Sequence, residues 1–205
     1  MTSAVKGDAV RFAQGSSWSM TLDASWPLTV ALHIRDALSL PATRPFFVPP
    51  VVPKVPERIP VIGPTSDIAL ADEWSIWFAD LVRSRAGMQS PDELLLEGRH
   101  PMFQEAVQGC LLAGQSAAEQ FKLDFHEDFV RSMKKQAGIP ARIVRGAEKD
   151  LGREAPPFEL VVRVVPVAGE WLYRHSPSVS LISSAAFLNP AAQRRLLEPV
   201  LRDLV

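Results

Sequence analysis

Few of the residues that usually mark a function are present in this chain. It holds one cysteine, one tyrosine and four histidines. The lone Cys110 rules out an intramolecular disulfide and supplies too little thiolate for a cysteine-based metal site. No pair of histidines stands at HxxxH, HxH or HExxH spacing, so the ordinary one-helix zinc signatures are missing. The phosphate-cradling GxGxxG and GxxxxGK[ST] loops are missing too, and Ser183 and Ser184 are not set in GxSxG. These absences count against the common nucleotide enzymes and the α/β-hydrolase plan.

Long apolar runs are also lacking. No segment approaches the ~20 uninterrupted apolar residues that span a bilayer, and Met1 to Asp23 has no continuous apolar core of the signal-peptide kind. The formal net charge is −1, which exerts no global pull towards nucleic acid or an anionic bilayer. The expectation is a soluble, cytoplasmic protein with no metal, no cofactor and no membrane association.

What the chain does have is apolar content, 47% of 205 residues, enough to build a full core. A single domain over residues 1–205 follows, with a hairpin and helix over 1–40, a proline-rich strap over 41–64, a helical layer over 65–138, and strands with a terminal helix over 139–205. Phe158 to Phe187 carries the strongest sheet signal. Val161, Val162, Val164, Val165 and Val167 form a β-branched run, and Ala168-Gly169 and Ser176-Pro177 punctuate it as turns. Three short strands in a meander are expected there. Val10 and Phe12, then Trp18, Met20 and Leu22, alternate with polar neighbours around Gln14-Gly15-Ser16, which reads as a hairpin joining the same sheet. The fold class expected is α+β: an antiparallel sheet, made of this N-terminal hairpin and the C-terminal meander, backed by four to five helices.

The helices follow from apolar periodicity and end signals. Ser25 and Pro27 open one that runs to about Leu40, and its only charged residues are Arg35 and Asp36. Thr65 or Ser66 caps the next, to about Arg85, with Leu70, Trp74, Trp77, Phe78 and Leu81 on one face and Ile76 among the polar set. Two more are expected over 101–116 and 118–137. Ala141 to Arg145 reads as a short strand, and Gly146 to Pro157 as a charged loop. Asn189 and Pro190 open a terminal helix, which Pro199 should bend or shorten.

Between Pro41 and Pro64 prolines recur with Phe46, Phe47, Val48, Val51, Val52, Val55, Ile59, Val61 and Ile62 between them. The prolines impose an extended path and the apolar filler needs burial, either on the parent domain or on a partner. The leading functional reading is a non-catalytic protein-binding or assembly module. Its contact residues would be Phe46, Phe47, Trp74, Ile76 and Trp77, with a protein partner or a second copy of the chain. The helix after Pro101 adds two ridges of small residues, Gly109, Ala113 and Ala117 beside Cys110, Gly114 and Ala118, which let a neighbouring helix come close.

Two alternatives carry chemistry. Glu119, Lys122 and His126 lie on one ridge at i, i+3 and i+7 within an apolar arc, where shifted pKa values would suit an acid/base set or a small-ligand site. In DFHED, by contrast, His126 points about 160 to 200° from Asp124 and Asp128, so the three cannot close on one ion; Glu127 is placed to pair with Arg131 instead. The second alternative is a nucleic-acid accessory protein that meets phosphates through the basic 131–153 region, with Lys134, Lys135, Arg142 and Arg145 as anion-binding residues. No interleaved aromatic residue accompanies that region.

Overall fold

A computed structural model describes residues 10–15, 17–41, 46–57, 64–84, 94, 96–136 and 138–205; for 10, 11, 64–67, 134 and 135 it describes the backbone only. Among these residues the chain forms β1 (Val10–Gln14), β2 (Trp18–Ala24), α1 (Trp26–Ala37), α2 (Pro64–Arg83), α3 (Pro101–Gln136), α4 (Ile139–Leu151), β3 (Phe158–Val165), β4 (Leu172–Ser176), β5 (Val179–Ser183), α5 (Ser184–Leu188) and α6 (Pro190–Arg202).

The mixed α and β class is as expected; the purely antiparallel sheet is not. Strand order is β1-β2-β3-β5-β4. The hairpin β1-β2 and the pair β4-β5 are antiparallel, but β3 lies parallel to both β2 and β5. No meander forms. Val167 leaves β3 to bridge to Val51 of the strap, β4 then forms the far edge, and β5 returns into the gap beside β3. The reason is visible in β3 itself. Its apolar run does not alternate, as befits a parallel strand covered on both faces.

Two apolar cores result. Met20, Leu22, Leu160, Val162, Val164 and Ile182 face α4, α5, α6 and the phenylalanines of the second half of α3. Val165, Val167 and Leu181 join α1, α2, the strap and the first half of α3 in the other.

Three helix expectations are corrected. The stretches 101–116 and 118–137 form one helix, α3, because no strong breaker separates them. The short strand expected at Ala141 to Arg145, and the start of the charged loop after it, are helix instead. Pro140 occupies the first turn of α4, Ile139, Ile143, Val144 and Ala147 form its buried side, and Gly152 ends it at φ 66°. Glycine and proline at 138–140 thus end one helix and begin the next. The terminal helix α6 continues past Pro199 to Arg202. Its cap is as expected, the Asn189 side chain accepting from the Ala191 and Ala192 amides. Ser25 stands at the head of α1 but its hydroxyl makes no capping bond. The capping side chains expected at Thr65 or Ser66 lie outside the described residues. No helix among the described residues is long and apolar enough to cross a membrane.

Candidate functional site

The strap is fixed to its own chain by the two charges of α1. Proline-rich extended backbone has carbonyls with no partner of its own. Arg35, buried, donates through Nη1 to the Val48 carbonyl and through Nη2 to the Pro49 carbonyl, both at 2.8 Å. Asp36 holds Arg35 at 2.6 Å and accepts the Val51 amide at 2.6 Å. The Val52 amide donates to the Pro166 carbonyl at 2.8 Å, and the Ala168 amide to the Pro50 carbonyl at 2.9 Å. The strap is therefore clamped across the carboxyl end of β3, with a cis bond between Val52 and Pro53.

Beneath the clamp α1 and α3 pack closely. A Cβ on Gly114 would stand 3.3 Å from Val30 Cγ1 and 3.4 Å from the Val30 carbonyl, so the ridge of Cys110, Gly114 and Ala118 serves the intramolecular helix pair, while Gly109 and Ala113 of the other ridge are exposed. One turn further on, where α3 presents Ala117, the two helices and the strap enclose a cleft of about 260 Å³. Val51, Val52, Pro53, Val55, Phe121 and Pro166 make it apolar, and Thr29, His33, Lys54, Gln120 and Asp124 supply its polar groups.

The polar groups differ in how far they are already engaged. Thr29 donates to the Ser25 carbonyl at 2.8 Å, which leaves its oxygen as an acceptor. Gln120 Nε2 donates to Asp124 Oδ1 at 2.7 Å, and Lys54 lies 3.6 Å from Glu57. His33 has no hydrogen-bond partner among the described residues. Burial lowers its pKa, with Asp36 opposing the shift, so the ring is neutral at pH 7 and offers one donor and one acceptor.

A second hollow, about 460 Å³, lies where β2 and β3 begin, beside Gly15, Trp18 and Phe158. It is wider, but it is open and lined mostly by polar atoms, so it encloses a ligand less well than the cleft does.

The residues singled out in the sequence are scattered. Glu119 and His126 are exposed and Lys122 is half-buried, on the solvent side of α3 and outside both hollows. Glu127 pairs with Arg131 at 2.9 Å as the spacing required. Phe46, Trp74 and Trp77 are core: Trp74 Nε1 donates to the Ala31 carbonyl at 2.8 Å, and Phe46 meets Phe78 and Tyr173 edge-on. Of that set, Phe47, 58% exposed, and Ile76, 54% exposed, lie at the surface. Arg142 and Arg145 are exposed on α4, while the side chains of Lys134 and Lys135 lie outside the described residues. Ser183 caps α5 and also holds Trp171, and Cys110 is buried. Among the described residues no three His, Cys, Asp or Glu side chains are grouped to hold a metal.

Sequence reading passed over the cleft itself. Its signal was present in Arg35 and Asp36, two charges on an otherwise apolar helix, next to a strap rich in unpaired carbonyls.

No protein-family model matches the chain, and neither a curated protein nor a solved structure matches it.

Proposed function

We propose that the protein binds a small, largely apolar ligand in the cleft between α1, α3 and the strap. The observation that carries this reading is the position of a neutral His33, with no hydrogen-bond partner among the described residues, in an apolar cleft at the carboxyl end of a central parallel strand. Parallel sheets commonly bind ligands outside their strand carboxyl ends, and apolar recesses with a few converging polar groups are the usual form of such sites. The assembly-module reading is less well supported, because burial of Phe46, Trp74 and Trp77 leaves it Phe47 and Ile76 as contacts.

Benzyl alcohol, which pairs a flat apolar body with one hydroxyl, is a suitable probe. Titrated into ¹⁵N-labelled protein, it is expected to shift the amides of Thr29, His33, Gln120 and Phe121. Ala117→Leu fills the cleft with a residue that favours helix and should remove those shifts while the rest of the spectrum stays in place. Shifts mapping elsewhere, or surviving in Ala117→Leu, would overturn the assignment.

A further inference from the structure

The cations of this protein are unevenly neutralised. Arg83 and Arg99 meet Asp80, Arg131 meets Glu127, Arg174 meets Asp203, and Arg202 meets Asp150 and Glu198. On α4 the pattern stops. Arg142, Arg145 and Lys149 are exposed and have no carboxylate partner among the described residues; Arg145 Nε donates only to the Ala141 carbonyl, at 3.2 Å. Two acids of α4 are engaged elsewhere, Glu148 with the Ala155 amide at 3.0 Å and Asp150 with Arg202 at 2.9 Å.

These three cations share one side of the helix. At roughly 100° per residue they fall within an arc of about 60°. The opposite side, Ile139, Ile143, Val144 and Ala147, is locked in the core, so the ridge is held facing outward. Gly146 lies beside it, and outside its own helix backbone the nearest atom to its Cβ position among the described residues is Arg202 Nη2 at 4.0 Å.

We infer that this ridge binds the phosphate backbone of double-helical nucleic acid. From position 142 to position 149 a helix rises about 10 Å, the length over which one strand of a duplex presents about three phosphates. Guanidinium groups match phosphate oxygens in pairs. The same arc contains no apolar or aromatic side chain. A protein partner would ordinarily need an apolar anchor, and a single strand would ordinarily need an aromatic surface for its bases. Binding through backbone charge alone is independent of sequence.

Fluorescence anisotropy with a labelled 20-base-pair duplex tests this on the full chain. Three phosphate contacts predict a slope of about −2.7 in log K against log salt, or roughly a 40-fold loss of affinity from 50 to 200 mM KCl. Arg142→Gln with Arg145→Gln should weaken binding at least tenfold at 50 mM. Arg194→Gln with Arg195→Gln, the same change in net charge on α6, should leave it within twofold. Absence of binding at 50 mM, a flat salt dependence, or equal losses in the two double variants would overturn the inference. Tighter binding of a single strand, or displacement of the duplex by polyglutamate at equal charge concentration, would also overturn it. Lys149→Gln alone, with circular dichroism, guards against misfolding of the double variant and should lower the slope by about one.

Discussion

Replacing Arg163 by methionine should destabilise the protein by about 2–6 kcal/mol, at about 1–3 kcal/mol for each of the two carbonyls that lose their donor. Arg163 lies within β3, 2% exposed, and its register partner on β2 is Asp23, itself 7% exposed. Its Nη1 donates to the Leu81 carbonyl at 3.0 Å and its Nη2 to the Ser84 carbonyl, so a cation closes the carboxyl end of α2, where the helix dipole favours it. Burial lowers the guanidinium pKa and Asp23 raises it, yet an arginine starts so high that it stays charged at neutral pH. Methionine keeps the unbranched stem and removes the charge, so the Leu81 and Ser84 carbonyls lose a donor and Asp23 loses a nearby positive charge. Against a total stability of about 5–15 kcal/mol the loss is large. Urea titrations followed by tryptophan fluorescence would read it as a fall in midpoint at unchanged slope. Asp23→Asn combined with Arg163→Met should cost less than the sum of the single changes, by about 1 kcal/mol or more. The His175 ring gives an independent readout. Burial, Arg83 and Arg163 all lower its pKa, so Arg163→Met should raise it in an NMR titration. A stability loss below about 1 kcal/mol, strict additivity, or an unmoved His175 would refute this account of the buried guanidinium. If methionine prevents folding, Arg163→Lys, which keeps the charge, carries the test with a smaller loss.

Stability should also depend on pH in a direction fixed by His33 and His175, whose pKa values are both lowered, by burial first. Below about 6.5 the unfolded chain takes up protons that these rings resist in the folded state. Their contribution is therefore complete above that pH and is lost as pH falls towards the depressed folded values; His33→Gln with His175→Gln should flatten the midpoint-against-pH curve there. Asn189→Ala should cost about 1 kcal/mol in the same urea assay, since its side chain accepts from two amides at the head of α6, at 3.0 and 3.3 Å. An unchanged midpoint would show that those amides find other partners.

Local chemistry was legible in the sequence wherever the decision was local. The alternation of Trp18, Met20 and Leu22 marked a half-buried strand, Asn189-Pro190 marked a helix start, and Glu127 found Arg131 four residues on. The tryptophan stripe of α2 was readable as one face, although only packing revealed it as core. Misreadings occurred where one signal serves two structures. Gly138 to Pro140 both closes α3 and opens α4, and the β-branched pair Ile143-Val144 suits a strand as well as a buried helix side.

The candidate site was less legible because its parts come from distant positions. Thr29 and His33, the strap at 51–56, Ala117 to Asp124 and Pro166 converge only once β3 lies parallel to β2 and the strap is clamped over its end. Composition and periodicity alone determined that this chain is mixed α and β, which face of α2 is apolar, and where its N-terminal hairpin and the Asn189 cap fall. Tertiary structure alone decided the strand order, the cleft and the outward-facing basic ridge of α4, because each depends on contacts between residues whose separation along the chain leaves no local trace.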